Sequence, residues 1–227
     1  MKERITGIIK IDGGWSLHSY TITSAEYQIE AKIILLAMGL SFKEVSAYQE
    51  WQGRGLFYGP SVAVASHYWL HDVAVLGGAN SAGQAALNLA RYAHRVHLIS
   101  RHTALETTMS KGLIEEIQSH KNIQLHFNGS VDHCEGHDGH LRSIWINERE
   151  YPCRGLFVCV GQEAKTAWLP QGIELDARGL ILTNERQETT LNGIYAAGDV
   201  RSDSLHRIAV AVGDGASAIA RIGEILK

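Results

Sequence analysis

The stretch from Asp72 to Ser100 constrains this chain more than any other. Asp72 to Leu76 reads as a strand, Gly77-Gly78-Ala79-Asn80-Ser81-Ala82-Gly83 follows, Gln84 to Tyr92 reads as a helix, and Arg95 to Ser100 reads as a strand again. Strand, glycine turn, helix and second strand in that order make a βαβ unit, which commits the two strands to a parallel sheet. In such a turn, glycine is needed where the chain reverses. A small residue is needed where backbone approaches a pyrophosphate, and another where helix packs on strand. Gly77, Ala79 and Ala82 occupy those three places. Phosphates bound there would meet free N–H groups at the helix start, across Gly78, Asn80 and Ser81. The other reading is a purely structural turn, and alanine at position 79, where the fingerprint has glycine, leaves it open.

The end of the second strand separates the two nicotinamide dinucleotides. An acidic residue there accepts hydrogen bonds from a free ribose and repels a 2′-phosphate. This chain has Ser100-Arg101-His102. Arg101 can pair a phosphate bidentately, which favours NADP over NAD. An exposed arginine at a strand end is the plain alternative.

Composition narrows the function classes. A length of 227 residues with 45% hydrophobic residues supports one good core or two small ones. A net charge of −3 from scattered charges offers no basic stripe for nucleic acid. The longest apolar runs, Ile33 to Leu40 and Leu156 to Val160, are far below the roughly 20 residues that span a bilayer. Cys134, Cys153 and Cys159 form no CxxC pair and no metal spacing, so a reducing cytoplasm fits best. Among twelve histidines, His67 and His71 have helical spacing but no glutamate placed as in zinc proteases, so no metal site is expected.

Elsewhere, Ile5 to Lys10 and Ser16 to Thr23 read as a hairpin around Asp12-Gly13-Gly14, and Ala31 to Gly39 as one buried strand ending in glycine. A second helix is expected over Met109 to Ser119, then a strand over Ile123 to Phe127 and two more around Gly139. An apolar strand, Leu156 to Val160, closes on Gly161. The last segment carries a strand from Gly193 to Asp199 and an Ala/Gly-rich helix from about Ile208 to the C-terminus.

These residues resemble the thioredoxin reductase-like pyridine nucleotide-disulfide oxidoreductases. Gly77 to Gly83 looks like their nicotinamide turn. Thr190-Leu-Asn-Gly-Ile-Tyr-Ala-Ala-Gly-Asp-Val200 looks like their second flavin motif, usually written T…GvfAaGDv, and is the more specific of the two. Gly198 would let the flavin cofactor approach and Asp199 would accept a hydrogen bond from its ribityl chain. Arg207-Ile208-Ala209 matches the segment whose backbone N–H groups face the flavin pyrimidine ring, where such donors stabilise negative charge. Asn80 to Ala86, Thr108-Met-Ser110 and Gly198 through Gly215 are closest to the subgroup without a redox cysteine pair.

The resemblance implies an α/β protein of two Rossmann-like domains. A nicotinamide domain, 67 to 163, would be inserted between pieces of a flavin domain, 1 to 66 and 164 to 227. It implies FAD and NADP as cofactors, contacts at Gly39 and Gly161 besides those named, and a cytoplasmic homodimer. Hydride would pass from NADPH to FAD and on to an acceptor the motifs do not identify. Two departures qualify it. The family's first strand–turn–helix, which holds the FAD pyrophosphate, is absent, and alignment of Gly53 to Tyr58 places Gly59 and Val62 where the cysteines would stand. No residue is therefore assigned a catalytic role. The rival readings are a nicotinamide-nucleotide-binding module that turns nothing over, and a degenerate fragment with a structural role.

Overall fold

The computed structural model describes residues 7–11, 19–23 and 28–227. The chain divides into two units, Phe42–Gln162 and Met1–Ser41 with Glu163–Lys227.

The 42–162 unit is built on five parallel strands. In chain order these are β6 (Leu56–Tyr58), β7 (Asp72–Leu76), β8 (Arg95–Ile99), β9 (Ile123–His126) and β13 (Gly155–Val158). Their order across the sheet is β6-β13-β7-β8-β9. Side chains alternate between two cores, as period-two geometry requires. Val73, Val75, Val96, Leu98 and Phe157 face the helices α1 (Asn80–Ala90) and α2 (Lys111–Ser119). Ala74, Ile99, Leu156 and Val158 pack with Leu141, Ile144 and Ile146, which belong to an antiparallel meander. That meander is β10 (Val131–His137), β11 (His140–Ile146) and β12 (Arg149–Pro152). Burial on both faces is why β13 and most of β7 read as apolar runs, whereas β8 carries a buried histidine, His97.

Several expectations shift. Residues 42–66, expected with the first flavin piece, fall in this unit, because β6 pairs with β13 and Ala65 is buried in the helix-side core. Helix α1 starts at Asn80, not Gln84, so the glycine turn is shorter than the sequence suggests. Strand β12 has no counterpart among the expected elements. The β11–β12 turn puts Asn147 and Glu148 at φ of 48° and 64°, a conformation that Asn tolerates but that no glycine announces.

In the other unit, β1 (Gly7–Ile11), β2 (Ser19–Thr23) and β3 (Gln28–Ala31) form an antiparallel sheet, so the expected hairpin strands pair. The Asp12-Gly13-Gly14 turn lies outside the described residues. The expected single strand from Ala31 to Gly39 is divided. Ala31 ends β3, and β4 (Ile34–Leu36) pairs in parallel with β15 (Ile194–Ala196) instead. A bend at Lys32 separates two different pairing partners. Helix α3 (Ile208–Ile225) closes the chain. Short strands β5 (Ser41–Phe42) and β14 (Gln162–Glu163) pair where the chain passes between units.

One polar group sits inside the meander-side core. His97 alternates with Val96 and Leu98, so it points away from the helices, and it is fully buried. Its Nδ1 lies 3.0 Å from His126 Nε2, its ring centroid 5.0 Å from that of Tyr151, and its Nε2 meets no partner among the described residues. Burial, and then the neighbouring His126, push its pKa down from 6.5 to about 4. The unfolded chain therefore binds this proton at higher pH than the fold does. Stability from His97 is complete above about pH 6.5 and is lost as pH falls toward 4, by on the order of 3 kcal/mol. Urea midpoints at pH 7.5 and 4.5 should differ less in His97→Gln than in the wild type, and an equal difference would show that His97 does not set this slope.

Candidate functional site

The glycine turn lies at the carboxyl end of β7, where parallel sheets open their ligand crevices. Gly77 donates its N–H to Ile99 O at 2.9 Å and has φ of +151°. A Cβ there would sit 2.5 Å from Cys159 O and 3.0 Å from Ala82 Cβ, so β13 and α1 both press on this residue. Gly78 is confined differently: a Cβ would lie 2.6 Å from Ser100 Oγ. Ala79 is the residue before α1, in extended conformation and without a capping side chain, and its carbonyl accepts from Ala82 and Gly83 at 3.0 and 3.1 Å. The N–H groups of Ala79, Asn80 and Ser81 meet no acceptor among the described residues. An uncapped helix start directed out of a sheet's carboxyl edge is the arrangement an anion completes.

The side chains round the turn have distinct tasks. Asn80 Oδ1 accepts the Ser110 N–H at 2.8 Å, and Thr108 Oγ1 donates to Gly78 O at 2.8 Å, so the start of α2 braces the turn from behind. Met109 and Leu113 pack so closely that a Cβ at Gly83 would fall 2.6 Å from Leu113. Arg101 is exposed at the end of β8 and its guanidinium has no partner among the described residues. His102 is half-buried and donates its N–H to Ser100 Oγ at 3.2 Å. Gly161, at φ of +105°, has open space where a side chain would stand. Sequence reasoning missed Ser100 and assigned Thr108 and Ser110 no task, because hydroxyls carry no pattern until their backbone partners are placed.

In the other unit the carboxyl ends of β4 and β15 come together. Ala197 donates to Leu36 O at 2.9 Å, and the chain then turns through Gly198 at φ of +75°. Asp199 is half-buried, with only Ser204 Oγ approaching it, at 3.5 Å. Gly39 lies past the end of β4 at φ of +61° with open space beside it. Arg207 precedes α3, whose start has no capping side chain, and Ile208 and Ala209 are exposed with N–H groups that meet no acceptor among the described residues. What holds the Gly198 turn against α3 is Asp214, which accepts from Gly198 N–H at 3.1 Å and Arg201 Nε at 2.9 Å, while Arg201 Nη1 reaches Thr183 Oγ1 at 2.8 Å. This half-buried ion pair has no sequence signature, since Arg201 and Asp214 stand thirteen residues apart on different elements.

The three cysteines are free thiols, Cys134 half-buried and Cys153 and Cys159 buried. Burial raises the pKa of Cys134 and Cys159 to about 12 and that of Cys153 further. Position 59 is closed to a cysteine by geometry, since a Cβ on Gly59 would overlap the Phe42 ring and φ there is +78°. Val62 is exposed at the start of a 3₁₀ turn that also carries His67, so His67 and His71 do not share an α-helical face. Among the described residues no group of three or more His, Cys, Asp or Glu could hold a metal ion, and no helix is long and apolar enough to cross a membrane.

The family model for pyridine nucleotide-disulphide oxidoreductases matches residues 2–215. The chain belongs to this family. It is 31% identical over 204 residues to a thioredoxin reductase of Listeria innocua, covering 86% of this chain and 63% of the relative. It is equally identical, over 207 residues, to a thioredoxin reductase of Mycoplasma pneumoniae, covering 86% and 64%. The chain thus spans less than two thirds of the length of these curated relatives. Its fold is thioredoxin reductase-like. The Lactococcus lactis enzyme superposes with a TM-score of 0.80 at 25% identity over 98% of this chain and 73% of that one, and the T. acidophilum enzyme with 0.80 at 26% over 99% and 74%.

Replacing Asp214 by Ala should destabilise the protein by about 2 kcal/mol, because it leaves Arg201 Nε and the buried Gly198 N–H without their acceptor. Urea unfolding followed by far-ultraviolet circular dichroism checks this; an unchanged midpoint would mean that the pair contributes nothing measurable.

Proposed function

We propose that this chain is an NADPH-dependent oxidoreductase of the thioredoxin reductase-like type that works without a dithiol relay. The observation that carries the reading is the uncapped start of α1 beside a turn in which neither Gly77 nor Gly78 has room for a side chain. The N–H groups of Ala79, Asn80 and Ser81 would receive the NADP pyrophosphate, with Ala79 contributing only a methyl group between backbone and ligand. Arg101, exposed and without a partner among the described residues, would hold the 2′-phosphate. Family membership supports a second cofactor, FAD. Gly198 and Asp199 would hold the ribityl side of FAD, and the free N–H groups of Ile208 and Ala209 its pyrimidine edge, with Gly39 and Gly161 leaving room for a ligand. Bound FAD would supply hydride acceptance from NADPH and onward electron transfer to an acceptor. The chain's own part is to bind, orient and shield. The closed position at Gly59 and the high thiol pKa values support an acceptor reached without a cysteine pair on this chain. A cytoplasmic homodimer belongs to the same reading, on the strength of the resemblance alone.

One observation favours the rival, a nucleotide-binding module that retains no flavin. The parallel sheet of the 1–41 and 163–227 unit has only β4 and β15 among the described residues. Along α3, Ile208, Val212 and Ile219 are 87%, 65% and 59% exposed, so only part of a flavin-domain core is assembled.

The visible spectrum of the purified chain with added FAD, before and after anaerobic NADPH, separates the two. Protein-bound flavin bands that bleach support the oxidoreductase; no retained flavin supports the module. Arg101→Ala should weaken NADP binding roughly 10- to 100-fold and NAD binding little. Equal losses for both, measured by calorimetry, would remove Arg101 as a phosphate ligand.

A further inference from the structure

The 42–162 unit has a second concave feature at the opposite end of its sheet from the glycine turn. Arg54, His71 and Arg154 each lie just ahead of a parallel strand, β6, β7 and β13 respectively. With His67, Tyr68 and His140 they line a pocket of about 340 Å³ in which no Asp or Glu takes part.

The pocket's frame is fixed by backbone. Arg154 donates its N–H to Asp72 O at 2.8 Å, Leu141 to Arg54 O at 2.9 Å, and His71 to Tyr68 O at 3.0 Å. The Tyr68 ring is held edge-on by Phe57 and Phe157, with centroids 6.0 and 5.6 Å away. Burial, and then Cys153, push its hydroxyl pKa up to about 12, so it remains a neutral donor. Neither the Arg54 nor the Arg154 guanidinium has a partner among the described residues. Asp72, the acid beside Arg154 along this edge, has its carboxylate engaged by His94 Nδ1 at 2.7 Å.

Among the described residues, two permanently charged guanidinium groups without a counter-ion, three exposed imidazoles and the Tyr68 hydroxyl line one open pocket and form a donor set with no matching acceptor. Guanidinium groups pair phosphate oxygens in a bidentate fork, and imidazole and phenol add further donors. The volume is near the lower bound of about 300 Å³ for small-molecule sites, which suits one phosphate ester rather than a dinucleotide. We propose that this pocket binds a small phosphorylated molecule, with Arg54 and Arg154 as its charge-bearing contacts. It is separate from the nucleotide turn, which lies at the carboxyl ends of the same strands, and does not depend on the function proposed above.

The test is calorimetric titration of the full chain with inorganic phosphate and with pyrophosphate. The wild type is compared with Arg54→Ala/Arg154→Ala and with Arg101→Ala. The double variant should lose roughly tenfold or more in affinity for phosphate, while Arg101→Ala retains a phosphate site of wild-type affinity. A pair carrying Arg54→Gln/Arg154→Gln serves if circular dichroism shows that the alanine pair does not fold, with the same loss expected. Absence of phosphate binding to the wild type at millimolar concentrations, or wild-type affinity in the folded double variant, overturns the proposal. Loss of phosphate binding in Arg101→Ala alone overturns it too, by moving the site to the other end of the sheet, and leaves the NADP reading intact.

Discussion

Everything at the glycine turn of the 42–162 unit depends on how closely β7, β13 and α1 approach one another at Gly77. A Cβ at that residue would meet the Cys159 carbonyl at 2.5 Å and the Ala82 methyl group at 3.0 Å, so backbone and small side chains fill the space completely. That contact draws the start of α1 onto the carboxyl edge of the sheet. Because Ala79 has no side chain able to cap, the first N–H groups stay open. A serine or aspartate at this position would serve the helix and compete with an anion. The missing cap and the missing Cβ are therefore two parts of one device, and Thr108 and Ser110 hold it in place from the start of α2.

The two units distribute stability differently. In the 42–162 unit the sheet is covered on both faces, by α1 and α2 on one and by the meander on the other. The second unit relies on a smaller core around Ile34, Leu36, Ile181, Ile194 and Val200, and leaves much of α3 uncovered. Burial per residue supplies most of the net stability of a domain. This is why a charged clamp, Asp214 with Arg201 and the Gly198 N–H, carries weight in the thinner unit, whereas the glycine turn of the 42–162 unit is held by packing and by the uncharged hydrogen bonds of Thr108 and Asn80.

How much can be read from the sequence follows how local the determining interaction is. Asp72 to Leu76 is bounded to the residue, since Gly77-Gly78 directly after it ends the strand. The strand expected from Gly193 to Asp199 stops at Ala196, and Gly198 to Val200 form a 3₁₀ turn, because Gly198 takes a positive φ that its residue type permits but does not dictate. The division of Ala31 to Leu36 is not legible, because strand-to-strand exchange is decided by partners, Tyr20 for Ala31 and Ile194 for Ile34, that are remote in sequence. The grouping of residues 42–66 with the 42–162 unit is hidden for the same reason, as β6 takes its place only by pairing with β13 nearly a hundred residues later. At the site, Gly77 and Arg101 are visible by type and spacing. Ser100, Thr108 and Asp214 act through contacts with Gly78, His102 and Gly198, which exist only once the chain is folded.

The central claim is that open N–H groups at the start of α1 hold the cofactor's pyrophosphate, and amide chemical shifts report on those groups directly. In a ¹⁵N–¹H correlation spectrum of the full chain titrated with oxidised NADP, the largest shifts should fall on Gly78, Ala79, Asn80 and Ser81, with Arg101 following them at the same apparent affinity. Saturable shifts centred elsewhere in the chain, with these amides unmoved, would contradict the account.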